Sequence, residues 1–242
     1  MFALIKANAF RRFFAFCALL CAFLALSAVS RADELHAPYH EMQNNIIYNV
    51  LFCDDDALFK PKEGTPAAPW QKVLFAATPD AAAVRALAED AKQESRVRLL
   101  AYKWLREHSQ LVPPKLLLGV IIEVPLDDGP ETLAAYADGR VRYINHADKL
   151  ALIDAPPMEM QEKTKALFAS STKVIARIGP WNKKRLPAPI KGKVRMTFLA
   201  SDGLYFGEGS FAAIQKDADA AQVMKDGTAL LQSVVQLSTP AK

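Results

Sequence analysis

Motifs that advertise a chemistry are what this sequence has least of. It contains no Gly-rich phosphate loop, dinucleotide fingerprint, zinc-ligand spacing, nucleophile elbow or convincing pair of acids. Those absences argue against nucleotide, zinc and common hydrolytic chemistry. No cofactor and no metal are expected, and the balance leans away from an enzyme. Cysteine is nearly missing too: Cys17, Cys21 and Cys53 are the three. The first two fall in a leader that reads as removable. A lone Cys53 closes no intramolecular disulfide, so the fold must rest on packing. Its neighbours Asp54, Asp55 and Asp56 would suppress a thiolate, and a buried structural thiol is expected. The three aspartates lack the spacing and glycine of a calcium loop and read as a solvated helix end. His36 and His40, beside Glu41, stand at i,i+4 ligand spacing, but Pro38 works against a helix there, and a mobile terminus is the simpler expectation. His108 and His146 have no carboxylate or cysteine companion in the sequence. There is no solenoid repeat.

A net charge is also missing from the part that should remain. Lys6, Arg11 and Arg12 precede an apolar stretch from Phe13 to Ala28, broken only by Ser27. Ala28-Val29-Ser30 and Ser30-Arg31-Ala32 offer small residues for cleavage. This is the pattern of a secretory signal peptide over residues 1–32. The stretch is short for a spanning helix, which needs about 20 apolar residues. The chain carries 30 basic and 26 acidic residues. Cleavage after Ala32 removes four cations and no acid, leaving 26 of each sign. The sequence pI near 8.9 is therefore largely the leader's, and neither nucleic acid nor, after cleavage, membrane is an expected partner. Localisation is expected to be periplasmic or secreted. Residues 33–242 are long enough for one core: a helical layer over 33–112, then a sheet with two covering helices over 113–242.

The centre of that core is residues 116–145. Leu116–Val124 is almost continuously apolar, as a strand covered on both faces should be. Asp127-Asp128-Gly129-Pro130 ends it. Residues 131–137 and 140–146 flank Asp138-Gly139, a two-residue hairpin signal. A two-residue turn there sets Tyr136 opposite Val141 and Ala134 opposite Tyr143 on a core face. It sets Arg140 and Arg142 opposite Ala137 and Ala135, facing water or a ligand.

Around this centre, Ile46, Ile47, Val50 and Leu51 mark one side of a first helix. Trp70–Phe75 suits a short helix. Thr78-Pro79-Asp80 opens a longer one, with Thr78 as cap, that runs to Leu105 or breaks near Gln93. Lys149–Asp154 reads as a strand. Met158–Ile178 reads as an amphipathic helix stopped by Gly179-Pro180. Val194–Ala200 and Leu204–Gly207 flank a second Asp-Gly, Asp202-Gly203, setting Leu199 opposite Phe206 and Ala200 opposite Tyr205. With both faces apolar, this pair is expected mid-sheet. Residues 217–238 form the last helix, with Val223, Leu230, Leu231, Val234 and Leu237 inward. The order predicts an α+β fold: an antiparallel sheet of five to six strands with two Asp-Gly hairpins, flanked by helices and preceded by a helical layer. Profilin-like and roadblock-like modules share that plan, an analogy that carries no function.

Leu117–Val124, Leu133–Arg140 with Tyr143-Ile144-Asn145, Ile178–Trp181 and Phe198–Gly209 together resemble a family of uncharacterised bacterial proteins of about 200 residues. The resemblance spans most of the chain after residue 32, implies a single fold unit, and brings no activity, cofactor or site residue with it.

Two constellations remain. Ser170-Ser171-Thr172-Lys173 matches the S-x-x-K of serine β-lactamases, with Ser201-Asp202-Gly203 and Lys225-Asp226-Gly227-Thr228 as degenerate partners. Ser170 falls deep in a predicted helix rather than at its start. A periplasmic hydrolase using Ser170 and Lys173 is therefore the alternative reading. The favoured one is a non-catalytic protein that binds an envelope protein or anionic ligand. Its candidate element is the proline-stiffened loop Ile178–Lys191, which sets Trp181 beside Lys183, Lys184 and Arg185. Arg140 and Arg142 are the second candidate patch. The plainer reading makes Trp181 a sheet-edge cap and the cations solubilising.

Overall fold

The computed structural model describes residues 35–238. The expected signal segment and its cleavage site lie outside the described residues. The compact unit begins at His36. Its elements are α1 (Met42–Val50), a 3-10 turn (Asp56–Phe59), α2 (Pro69–Leu74), α3 (Ala81–Glu89), α4 (Ser95–Glu107), β1 (Leu117–Leu126), β2 (Gly129–Tyr136), β3 (Val141–Ile144), β4 (Leu150–Ile153), α5 (Met158–Arg177), β5 (Val194–Ala200), β6 (Gly203–Gly209), α6 (Phe211–Lys216) and α7 (Ala218–Ser238). The strands form one six-stranded sheet in the order β4-β3-β2-β1-β5-β6, with each neighbouring pair antiparallel. The chain is α+β, with helices on both faces of the sheet.

Strand β1 is central and buried from Leu117 to Glu123. Its residues serve two cores, alternating from Val120 onward after a register shift between Leu117 and Gly119. Val120 and Ile122 join Leu133, Ala135, Val141, Met196 and Phe198 against Leu167 and Ile175 of α5 and Val223, Leu230 and Val234 of α7. Leu118 and Ile121 join Ala134, Tyr136, Ile144 and Leu199 against Leu51, Val84, Leu100, Tyr102 and Leu105 of the N-terminal helices. A run apolar at nearly every position is what a doubly covered strand requires.

Four expectations are corrected by turn geometry, strand order and capping. The β2–β3 connection holds three residues, not two. Tyr136 N donates to Arg140 O at 2.9 Å, Gly139 N donates to Tyr136 O, and Gly139 takes φ +90°. Ala135 therefore pairs with Val141 and Ala134 with Arg142. A one-residue slip moves every side chain to the other face. Arg140 and Arg142 thus share a face with Tyr136 and Ala134, under the N-terminal helices. In the second hairpin the loop is Ser201-Asp202, so Ala200 pairs with Gly203 and Leu199 with Leu204. That shift keeps the faces, but β6 is an edge strand rather than mid-sheet. The N-terminal helical stretch takes the second of its two expected forms, breaking near Gln93 into α3 and α4, but Asp80, not Thr78, caps α3 by accepting from Ala83 N at 2.8 Å.

The first helix departs most from its hydrophobic pattern. Its buried face is Asn44, Asn45, Tyr48 and Asn49, while Ile46 and Ile47 are half-exposed. The asparagines hold the chain that precedes them. Asn45 clasps Tyr39 through both its N–H and its C=O, and Asn49 clasps His36 in the same way. Asn44 reaches Asp148 in the β3–β4 turn. A short stretch 36–39 therefore lies back along α1, held by side-chain amides in place of a strand ladder. At the other end of the chain, Leu237 is exposed rather than inward.

Candidate functional site

The N-terminal face of the sheet carries a polar row that crosses four adjacent strands. In register these are Thr132 on β2, Glu123 on β1, Arg195 on β5 and Glu208 on β6. Glu123 is fully buried and Arg195 nearly so. Such residues are costly in a core unless paired, and the row is paired by what covers it. Tyr39 donates its hydroxyl to Thr132 Oγ1 at 2.7 Å. Tyr48 donates its hydroxyl to Glu123 Oε1 at 2.6 Å. Arg195 holds Glu208 through Nε and Nη2 at 2.9 and 2.6 Å, and its Nη1 donates to the carbonyls of Leu186 and Pro187.

The connection between α5 and β5 closes over this row. Arg185 is its anchor. The guanidinium donates to Asp54 Oδ2 at 2.7 Å and to Asn49 Oδ1 at 3.0 Å. It also stacks 3.9 Å from the Phe52 ring centre and 5.5 Å from that of Tyr48. Two polar atoms in the enclosure have no partner, Glu123 Oε2 and Arg185 Nη1. Burial is the largest influence on Glu123 and pushes its carboxyl above the ordinary value, against the lowering by Tyr48 and Arg195. Burial likewise pushes the Tyr48 phenol up. His36 beside the row is held below its ordinary value, first by burial and then by the Arg185 charge.

The sequence candidates divide. Trp181 is half-buried: its backbone bridges Leu204, its ring meets Phe206 edge-on at 5.1 Å, and its indole N–H donates to Lys184 O at 2.9 Å. It caps the open edge of β6. Lys183 lies over the Trp181 ring at 5.4 Å, and Lys183 and Lys184 are exposed. Arg185 is not part of that surface, because its side chain is buried against α1. Arg142 on β3 and Arg140 just before it are separated from that edge by three strands, β2, β1 and β5. Arg142 is buried, donating to Val141 O, Ile153 O and Asp154. Arg140 pairs with Asp138, Glu94 and Asp154. Arg142 is turned under the N-terminal helices and Arg140 is ion-paired and half-buried, and the six candidates do not assemble into one site.

The serine candidate is not assembled either. Ser170 is buried in mid-helix and donates its hydroxyl to carbonyls of its own helix, Ala166 and Leu167. Ser201 donates to Pro113 O and accepts from Leu116 N, joining β5 to the segment before β1. Gly227 is a packing residue inside α7.

Sequence reasoning missed the polar row, although Glu123 stood out in its apolar strand and Arg195 in its own. Only register shows that they are neighbours. It also missed companions for His146, whose Nδ1 meets Glu131, which in turn accepts from Tyr143. His108 stacks on Trp104. The three aspartates are not merely solvated: Asp54 holds Arg185, Asp55 caps the 3-10 turn and Asp56 pairs with Lys103. Cys53 is buried, and burial pushes its thiol well up. Among the described residues no group of three or more His, Cys, Asp or Glu could hold a metal ion, and no helix is long and apolar enough to cross a membrane.

Fold and site together define an α+β protein whose single sheet is apolar on one side and crossed by a charged row on the other. No family model, curated protein or solved structure matches the chain.

Proposed function

We propose that this is an exported, non-catalytic protein that binds an anionic ligand or an acidic envelope protein through the exposed shoulder Trp181–Lys184. One observation carries the reading. The segment is fastened below by Arg185 and Arg195, yet Lys183 and Lys184 are exposed on it, with Lys183 over the Trp181 ring. A fastened loop loses little freedom on binding, so its charges are preorganised. Export rests on the basic-then-apolar leader, and the proposed location is the periplasm or outside.

The test uses the protein after leader removal. Poly-L-glutamate is titrated while Trp fluorescence and calorimetric heat are followed at low and high salt. Lys183→Glu with Lys184→Glu should abolish salt-sensitive binding and leave the melting temperature unchanged. Equal binding by wild type and double variant, or none by wild type, removes this shoulder as the binding surface.

A further inference from the structure

Arg195 Nη1 stands among three acceptors and has two hydrogens to give them. Its two hydrogens go to Leu186 O at 3.3 Å and Pro187 O at 2.6 Å. Glu123 Oε2, enclosed and without a donor, lies 4.0 Å from the same nitrogen. The other charges of the enclosure are already paired. Glu208 takes Nε and Nη2 of Arg195, and Asp54 takes Arg185. Glu123 is the one carboxylate of the row that no cation holds at hydrogen-bond distance. A glycine stands near each end of the segment that supplies the competing carbonyls. Gly179 and Gly192 have open space where a Cβ would stand, and Gly192 has φ +82°. Connections this long without regular structure are uncommon in compact domains.

We propose that residues 186–191 are a strap that opens by an exchange of partners, in which Arg195 releases the carbonyls of Leu186 and Pro187 and pairs with Glu123. Closed, the strap is held by Arg195 and Arg185, and Glu123 lacks a second donor. Open, the strap is free beyond Arg185, which stays on Asp54 and Asn49, and Glu123 and Arg195 form a charge-assisted pair.

The exchange is linked to a proton. In the closed form burial lifts the Glu123 carboxyl. In the open form an adjacent guanidinium and solvent return it toward the ordinary carboxylate range. Closing therefore takes up one proton from solvent. The closed form is fully favoured below the open-form value, and that advantage is lost as pH rises toward the closed-form value.

Other groups face Glu123 from every side. They are the Tyr48 phenol from α1, Arg195 from β5, Glu208 from β6, Arg185 from the α5–β5 connection with Asp54 paired to it, and Tyr39 across Thr132, with Glu131 and Asp148 acting on Tyr39. The two phenols are held above their ordinary values and keep their protons. His36, held low beside both arginines, gains its proton only on the acid side, where its charge would oppose Arg185 and work against closing. Strap opening does not depend on whether Lys183 and Lys184 bind an anion.

Amide hydrogen exchange of the wild-type chain from about pH 5 to about pH 9, corrected for intrinsic rates, reads the strap directly. Protection of the strap amides should fall by about tenfold per pH unit within the window between the two Glu123 values. Amides of β1 serve as the reference and should not follow. E123Q keeps an acceptor for Tyr48 but cannot draw Arg195 away as a charge, so its strap should stay protected across the range. Strap protection that is flat with pH in wild type overturns the exchange, whether or not E123Q folds. So does a folded E123Q whose strap still loses protection as pH rises.

Discussion

Replacing Gly227 by alanine sets two effects of opposite sign against each other. Gly227 lies in the middle of the 21-residue helix α7. Alanine there gains about 1 kcal/mol of helix propensity. Yet this is where α7 meets the central strand. A Cβ at Gly227 would fall well inside contact with Ile122 Cδ1, and Leu167 Cδ1 is 4.0 Å away. Ile122 is buried and β-branched, so its first torsion is stiff. Only its second torsion can move Cδ1, and Leu167 takes up space beside it. Overpacking of this kind costs about 1–3 kcal/mol. Gly227→Ala alone should therefore lose about 1 kcal/mol net. Ile122→Val removes the offending methyl and alone should cost about 1 kcal/mol. Together the new methyl takes the place of the lost one. The double variant should lie within about 0.5 kcal/mol of wild type, a coupling of about 1.5–2 kcal/mol. Urea unfolding at unchanged slope measures each value. Additive losses would refute the claim that this glycine exists to bring α7 down onto β1.

Tyr48→Phe removes the one donor on Glu123 and should cost about 1–3 kcal/mol near neutral pH. Because that bond lowers the Glu123 value, the loss should grow as pH rises through the carboxyl's titration, read from thermal melts at stepped pH. Ser201→Ala strips a fully buried hydroxyl from Pro113 O and Leu116 N, and should cost about 1–3 kcal/mol by chemical denaturation. Ser170→Ala, whose hydroxyl bonds only its own helix, should stay within about 0.5 kcal/mol. A serine-directed activity probe should label neither wild type nor that variant. Labelling lost with Ser170 would restore the hydrolase reading.

Much of the architecture was legible because it follows from periodicity. The apolar run of β1, the amphipathic α5 and the four strands that flank two Asp-Gly turns each imply their element. Register was less legible, since it depends on one residue in a turn. Asp138-Gly139 supports a two-residue or a three-residue loop, and here the side chain of Asp138 decides matters outside the hairpin. Its carboxylate accepts from Ser95 N, and its N–H donates to Ser95 Oγ, docking the start of α4 onto the turn. A local rule cannot see that tertiary partner. The asparagine face of α1 was illegible for a similar reason. Amides that would count as solvent-facing are buried because they replace backbone partners for residues 36–39. Arg185 was read as one of three surface cations, because nothing in Lys183-Lys184-Arg185 separates the residue that turns inward onto Phe52 and Asp54. The candidate site was therefore half visible: Trp181 and the two lysines from composition, the row beneath them only from strand pairing.

The two faces of the sheet differ in how they are held. On one face α5 and α7, twenty and twenty-one residues long, close an apolar core in which each contact is non-directional and loss is gradual. On the other face the N-terminal helices close a second apolar core, and at its margin α1 and the strap meet the row through Tyr48, Arg185 and Arg195, directional contacts made by few atoms. Breaking one of these leaves a buried charge exposed to water or stranded, so the cover tends to open in steps rather than to loosen. Segments held this way belong to the low-stability end of a fold, from which mobile and binding elements are drawn. The long helices supply the rigid base. The polar row supplies a cover that has two defined positions, because Arg195 has two sets of acceptors and one set of hydrogens.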